Sequence, residues 1–305
     1  MSVKQKTIKE SISVAGLGLH TGQSGTMTFY PAPANHGVKF RRIDLEGQPI
    51  IDADVDNVVD TSRGTTLEQN GGRVYTIEHV LAALTGLGID NVLIDLDMPE
   101  IPIKDGSARY FVEALNSVGN IEQDALREYI EITEPIEYTI PDKKIAIRIE
   151  PADCFQLEVN IDFETEVLGK QKAVLDKIED FSKEISVCRT FVFLHELEFL
   201  LQNNLIRGGD LDNAIVFVNR HVEQGELDRL AKLFKKPRVN VKAEGILNNL
   251  ELNFENEPAR HKLLDVIGDI SLLGKPLKGK IIAYRPGHQA NTEFGKIIRQ
   301  YLEKN

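Results

Sequence analysis

The sequence predicts an α+β fold of two similar domains, each an antiparallel sheet layered with helices, with an active site between them. Three observations lead there. The order strands, helix, strand, helix occurs twice along the 305 residues, a pattern of helices laid on sheet. Two apolar helices each carry a histidine near their start, and His79 and His261 stand seven residues before Gly86 and Gly268, which hints at a duplicated unit. A polar stretch, 119–124, separates the halves and sets the expected boundary, with domains at 1–124 and 125–305.

Residues 7–46 alternate like antiparallel strands, at 7–14, 26–30 and 38–43, broken by Gly16, Gly18, Gly22 and Pro31-Ala32-Pro33-Ala34-Asn35. A helix is predicted over 76–87, then a continuous apolar strand over 91–96. Asp105-Gly106-Ser107-Ala108 reads as a turn with a helix cap that leads to Phe111, Val112, Ala114 and Leu115. Past the boundary, strands are expected at 129–132, 136–140, 144–149 and 155–161, a helix over 193–203 and a strand over 214–219. Leu263, Leu264, Val266, Ile267, Ile270, Leu272 and Leu273 mark a buried helix ending near Gly274, and the strand 279–284 leads to His288. Residues 226–241 set Leu227, Leu230, Leu233 and Phe234 beside Lys232, Lys235, Lys236 and Arg238. They read as a basic amphipathic helix outside the catalytic core, solvated, with membrane-surface contact as the alternative.

Composition narrows the class. Hydrophobic content of 42% and charged content of 27% are those of a soluble globular protein, and the longest apolar runs fall far short of a membrane span. No signal-peptide pattern opens the chain, so a cytoplasmic setting is expected. A net charge of −11 argues against nonspecific nucleic-acid binding, and an anionic small substrate would need local Lys or Arg. The two cysteines, Cys154 and Cys188, form no CxxC, so a metal site would draw on His and carboxylates.

Such a set is present. His261, Asp265 and Asp269 are spaced four apart and line one stripe of a helix. A histidine and two carboxylates are costly to bury without partners, and a divalent metal satisfies an imidazole and a carboxylate together, with zinc suited to the pair. The i, i+4 pair supplies two ligands; His79 is the candidate third, with Glu78 directly before it pointing elsewhere, as an unligated base should. Another histidine, His288, follows the last strand. His20 reads as structural or a rim contact, while His36, His195 and His221 lie outside any constellation. Gly208-Gly209 is most simply a turn, and the glycines near His20 form no dinucleotide fingerprint, since no βαβ unit follows them.

With these residues assembled, the sequence closely resembles the UDP-3-O-acyl-N-acetylglucosamine deacetylases, the zinc enzymes of bacterial lipid A synthesis. The resemblance covers nearly the whole chain. It rests on Gly16-Leu17-Gly18-Leu19-His20-Thr21-Gly22, Thr76-Ile77-Glu78-His79, Glu100-Ile101-Pro102-Ile103-Lys104-Asp105-Gly106-Ser107, Arg189-Thr190-Phe191, Arg260-His261-Lys262 with Asp265 and Asp269, and Gly287-His288, in the family's order. It implies His79, His261 and Asp265 as ligands of Zn2+, Glu78 as general base, His288 as cationic partner and Thr190 as oxyanion donor. Phe191 and Lys262 are implied as substrate contacts, Lys262 near the diphosphate. Asp269, one turn past Asp265, is placed to hold an imidazole in its cationic form. The division of acid and base roles between Glu78 and His288 stays open in the sequence.

The resemblance also implies an inserted β-α-β unit, at about 191–218, that encloses the fatty acyl chain of a UDP-linked acylated glucosamine. Phe193, Leu194, Leu197, Phe199, Leu200, Leu201 and Leu205 give that stretch more apolar surface than one helix face needs. Residues 226–241 run longer than the family pattern at that point. Some family members are fused to a hydroxyacyl dehydratase, and the end at Asn305 fits one half of such a fusion. A noncatalytic nucleotide-sugar or acyl-chain binding protein is the alternative, but it has no need of Glu78 beside an open ligand set. A zinc peptidase is disfavoured, because the HExxH order is absent.

Overall fold

The computed structural model describes residues 3–203, 205–243, 245–248 and 250–304. The first half runs through β1 (Lys4–Ile8), β2 (Ile12–Leu17), β3 (Ser24–Pro31), β4 (Val38–Arg42) and β5 (Ile50–Asp52). A small sheet of β6 (Val58–Asp60), β7 (Thr66–Gln69) and β8 (Gly72–Val74) follows, then helix α1 (Glu78–Gly86), β9 (Val92–Leu96) and helix α2 (Arg109–Val118). The second half begins with β10 (Asn120–Leu126), β11 (Ile130–Glu131), β12 (Ile136–Ile140), β13 (Ile145–Glu150), β14 (Phe155–Asp162) and β15 (Lys170–Leu175). After a short helix α3 (Phe181–Glu184) come β16 (Phe191–Phe193), α4 (Leu194–Gln202), β17 (Ile215–Phe217) and α5 (Gln224–Leu233). The chain closes with α6 (Glu257–Ile270), β18 (Leu277–Tyr284) and α7 (His288–Lys304).

The repeat expected from the order of elements is present in the sheets. The first sheet has the order β2-β3-β9-β4-β5 and the second β12-β13-β18-β14-β15. In each order three of the four neighbour pairings are antiparallel, and the strand that follows the central helix returns parallel to an earlier one: β9 beside β4, and β18 beside β14. Both sheets are therefore mainly antiparallel, as expected, with a parallel pairing where the chain returns from the helix. The helix acts as a crossover, and a crossover is what a parallel neighbour requires.

Those two crossover helices pack on each other between the sheets. Every residue of α1 from Glu78 to Leu84 is buried, as are twelve positions of α6, and a helix apolar on all sides is one with cover on all sides. Gly268 makes the crossing possible: a Cβ there would fall 2.1 Å from the Glu78 carbonyl oxygen. Gly86 serves a different neighbour, since its Cβ would strike the Phe181 ring. The matching seven-residue spacings thus have two separate packing causes.

Three local expectations are corrected. The predicted strand 7–14 is two strands, parted where Lys9 and Glu10 bend. The polar stretch 119–124 lies largely in β10, which pairs antiparallel with β1. The basic helix expected over 226–241 is α5, which starts earlier and ends at Leu233; Lys235 then turns at φ 53° and Pro237 follows. No described helix is long and apolar enough to cross a membrane.

Candidate metal centre and active site

His79 enters from the first turn of α1, His261 and Asp265 from α6, and His288 from the first position of α7. One nitrogen each of His79 and His261 and one oxygen of Asp265 lie within 4.8 Å of one another, with all three residues buried. His261 Nε2 is 3.5 Å and His79 Nε2 3.9 Å from Asp265 Oδ1. The rings of the two histidines meet edge to face, centroids 5.1 Å apart. His261 Nδ1 sits 3.1 Å from the Cys188 carbonyl, so Nδ1 carries the proton and Nε2 presents its lone pair.

The fit to a metal rests on one oxygen. Asp265 Oδ1 is buried with no hydrogen-bond partner, while Oδ2 accepts from Lys262 Nζ at 2.8 Å. An orphaned carboxylate oxygen facing two imidazoles is expensive unless a cation completes it. Burial, with His261 beside it, holds the His79 imidazole down at about 3, and burial lowers His261 as well. Both rings are thus neutral at neutral pH, the form that binds metal. Burial alone would raise the Asp265 carboxyl, but Lys262 and the histidines hold it below its ordinary value.

Glu78 and His288 flank this set. His288 Nε2 is 4.0 Å from Glu78 Oε1 and 4.0 Å from Asp265 Oδ2. His288 Nδ1 donates to Asp269 Oδ2 at 2.9 Å, the pairing expected of Asp269. Burial pushes the Glu78 carboxyl up to about 7, against the pull of His288. For His288 burial works downward, yet Asp269, Glu78 and Asp265 together outweigh it and push the imidazole up to about 9. Two neighbouring groups, one poised near neutrality and the other held cationic, are what acid–base chemistry on one substrate needs.

These residues lie in a cleft of about 690 Å³ whose walls include Thr190, Phe191 and Lys262. Thr190 is set by a hydrogen bond from its N–H to the Gly106 carbonyl, 2.8 Å. Gly106, at φ 83°, brings its backbone against Asn213, where a Cβ would fall 2.2 Å from the Asn213 carbonyl oxygen. That accounts for the glycine of Asp105-Gly106-Ser107 by close approach. Lys262 reaches Asp265 and stands 5.6 Å from the centre of the Phe191 ring. Among the described residues β16 and β17 pair in parallel around α4, a β-α-β unit, and Leu197, Phe199, Leu200 and Val216 turn toward the cleft. This unit has a small core of its own, built on Leu194, Leu211, Val216 and Leu230.

Several neighbours of the site carry no assigned role in the sequence reading. His195, set outside any constellation, lines the cleft and stacks on Phe193. Glu100, fully buried, accepts from the backbone of His20 and Thr21 and from the hydroxyls of Thr21 and Thr76, so it organises the glycine-rich loop. Glu257 pairs with Arg189 at 2.8 Å and also accepts the Arg189 N–H, which fixes the segment carrying the Cys188 carbonyl and Thr190. Its place four residues before His261 was the available signal. The two ring nitrogens of His20 lie 3.3 Å from the Leu205 carbonyl and 3.0 Å from the Arg63 carbonyl, and the residue lines the cleft.

A family model described as LpxC, UDP-3-O-acyl N-acetylglycosamine deacetylase, matches residues 5–236 and 233–300. The chain belongs to the LpxC family. Its similarity extends to the bifunctional enzyme LpxC/FabZ of Bacteroides thetaiotaomicron, 48% identical over 300 residues, covering 98% of this chain and 65% of that protein. The corresponding bifunctional enzyme of Porphyromonas gingivalis is 46% identical, with 99% and 65% covered. The chain thus spans 65% of the length of each of these two relatives. The UDP-3-O-acyl-N-acetylglucosamine deacetylase of Saccharophagus degradans is 41% identical, with 98% of this chain and 91% of that protein covered.

Proposed function

We propose that this LpxC-family chain is a cytoplasmic zinc-dependent hydrolase that removes the N-acetyl group from UDP-3-O-(3-hydroxyacyl)-N-acetylglucosamine, releasing acetate, in lipid A biosynthesis. The carrying observation is the buried, unpartnered Asp265 Oδ1 facing His79 and His261 beside Glu78 and His288. His79, His261 and Asp265 would hold the metal, and two imidazoles with one carboxylate suit zinc with a position left open. When bound, zinc supplies Lewis acidity toward water and the amide carbonyl.

The chain's own groups supply the rest. Glu78, the weaker acid-holder of the pair, takes the proton of the attacking water at its carboxylate. The Thr190 hydroxyl donates to the oxyanion that develops on the carbonyl. Cationic His288, held by Asp269, gives the Nε2 proton to the departing amine. Phe191 and Lys262 contact the sugar and diphosphate, and the apolar wall of residues 191–218 takes the acyl chain. We propose two domains, 1–124 and 125–305, with 191–218 as insert of the second; the repeated sheet order supports this division. Membrane-surface contact, where it occurs, would be transient and run through α5. Acetate release from the UDP-linked substrate by purified, zinc-loaded protein tests the reading; absence of release with metal bound would leave the noncatalytic binding alternative.

A further inference from the structure

Thr65 touches both halves of the acid–base pair. It is fully buried, between Gly64 and the start of β7. Its N–H donates to Glu78 Oε2 at 3.0 Å, its hydroxyl donates to Asp269 Oδ1 at 2.5 Å, and its carbonyl accepts from Ile77, just ahead of α1. Gly64 lets this backbone approach: at φ 149° it lies where a Cβ would come within 2.9 Å of Glu78 Oε1. Asp269 in turn accepts from Thr65 on one oxygen, and from His288 and Asn291 on the other at 2.9 and 2.8 Å.

We propose that Thr65 is a positioning residue: its hydroxyl ties Asp269 of the second half to the loop of the first half that holds Glu78, and so fixes His288 and Glu78 relative to each other. Asp269 has one oxygen free to rotate away unless something outside its own helix holds it, and Thr65 is that donor. A carboxylate fixed at both oxygens holds the imidazole it accepts from in one orientation. Misplacement by about 1 Å at such a site costs on the order of a hundredfold in rate. The hydroxyl bond is also a contact between the halves within the site, so any relative shift of α6 and the β6–β7 turn is felt there. Nothing in this role involves substrate binding, because Thr65 is shielded behind Glu78 and Asp269.

The inference rests on the proposed deacetylase reading for its kinetic arm and is independent of it for its spectroscopic arm. Thr65→Val keeps the shape and the N–H donated to Glu78 and removes only the hydroxyl. It is expected to lower kcat about tenfold with KM within about twofold, while Thr65→Ser stays within about threefold of the parent. In an Asp269→Asn background the valine change should cost less than about twofold, since residues acting as one unit are not additive. Without substrate, the His288 Nδ1–H resonance of histidine-labelled protein, at fixed pH and as purified, should shift in Thr65→Val and return in Thr65→Ser. Should the valine variant fail to fold, Thr65→Cys, whose thiol is a weak donor, carries the same expected loss. A wild-type kcat and unmoved resonance in Thr65→Val, or an undiminished loss in the Asp269→Asn background, would overturn the proposal. Absent turnover in the parent protein would instead refute the deacetylase reading, and the resonance comparison would still decide Thr65.

Discussion

Gly268→Ala tests whether the crossing of α1 and α6 sets the active site. The new Cβ would lie 2.1 Å from the Glu78 carbonyl oxygen and 2.8 Å from the Glu78 Cα, short of comfortable contact by about 1 Å. The obstacle is backbone, so no side chain can swing aside and the helices must part. Overpacking of this kind costs about 1–3 kcal/mol, while Ala in place of a helical Gly returns about 1 kcal/mol. Net destabilisation is therefore modest, about 0–2 kcal/mol. Activity should suffer far more, because the residue displaced is the proposed base: a shift of about 1 Å corresponds to roughly a hundredfold in kcat. Thermal unfolding and steady-state acetate release on one preparation read both quantities. A variant with parental kcat would show that Glu78 is not positioned by this contact.

His288 in the metal-free protein should titrate near 9 by NMR, against about 6.5 unfolded, and Asp269→Asn should lower it; an unmoved value would free His288 from that carboxylate. Because its folded pKa is raised, the stability it contributes is fully present below about 6.5 and is lost as pH rises through about 9. The Arg189–Glu257 pair is buried on both sides, so Glu257→Ala should destabilise by about 3–5 kcal/mol, and a loss under about 1 kcal/mol in urea unfolding would contradict its anchoring role. Glu78→Gln should keep its metal and fold yet lose on the order of a hundredfold or more in kcat; near-normal turnover would make Glu78 structural.

The metal stripe was legible because helix spacing is rigid. His261, Asp265 and Asp269 at i, i+4 and i+8 share a face: His261 and Asp265 meet His79 of α1, and Asp269 meets His288 and Asn291 of α7. The duplicated order of elements was legible for the same reason, through apolar runs of distinct period. Strand direction was not, since β9 and β18 read the same whether their neighbours run parallel or antiparallel. Residues 119–124 looked like a break because β10 is solvated along most of its length. Thr65, Glu100 and Glu257 gave weak signals: they are single polar residues whose partners lie far away in sequence, and only the fold brings them to the site. The two-domain division and the roles of individual site residues stand as proposals.

The most direct test of the central claim pairs metal content with acetate release. The parent protein should hold one tightly bound divalent metal per chain and deacetylate the UDP-linked substrate. His79→Ala, His261→Ala and Asp265→Ala should each lose metal and activity together, since each removes one donor of the set. Full metal occupancy in all three variants would contradict the account.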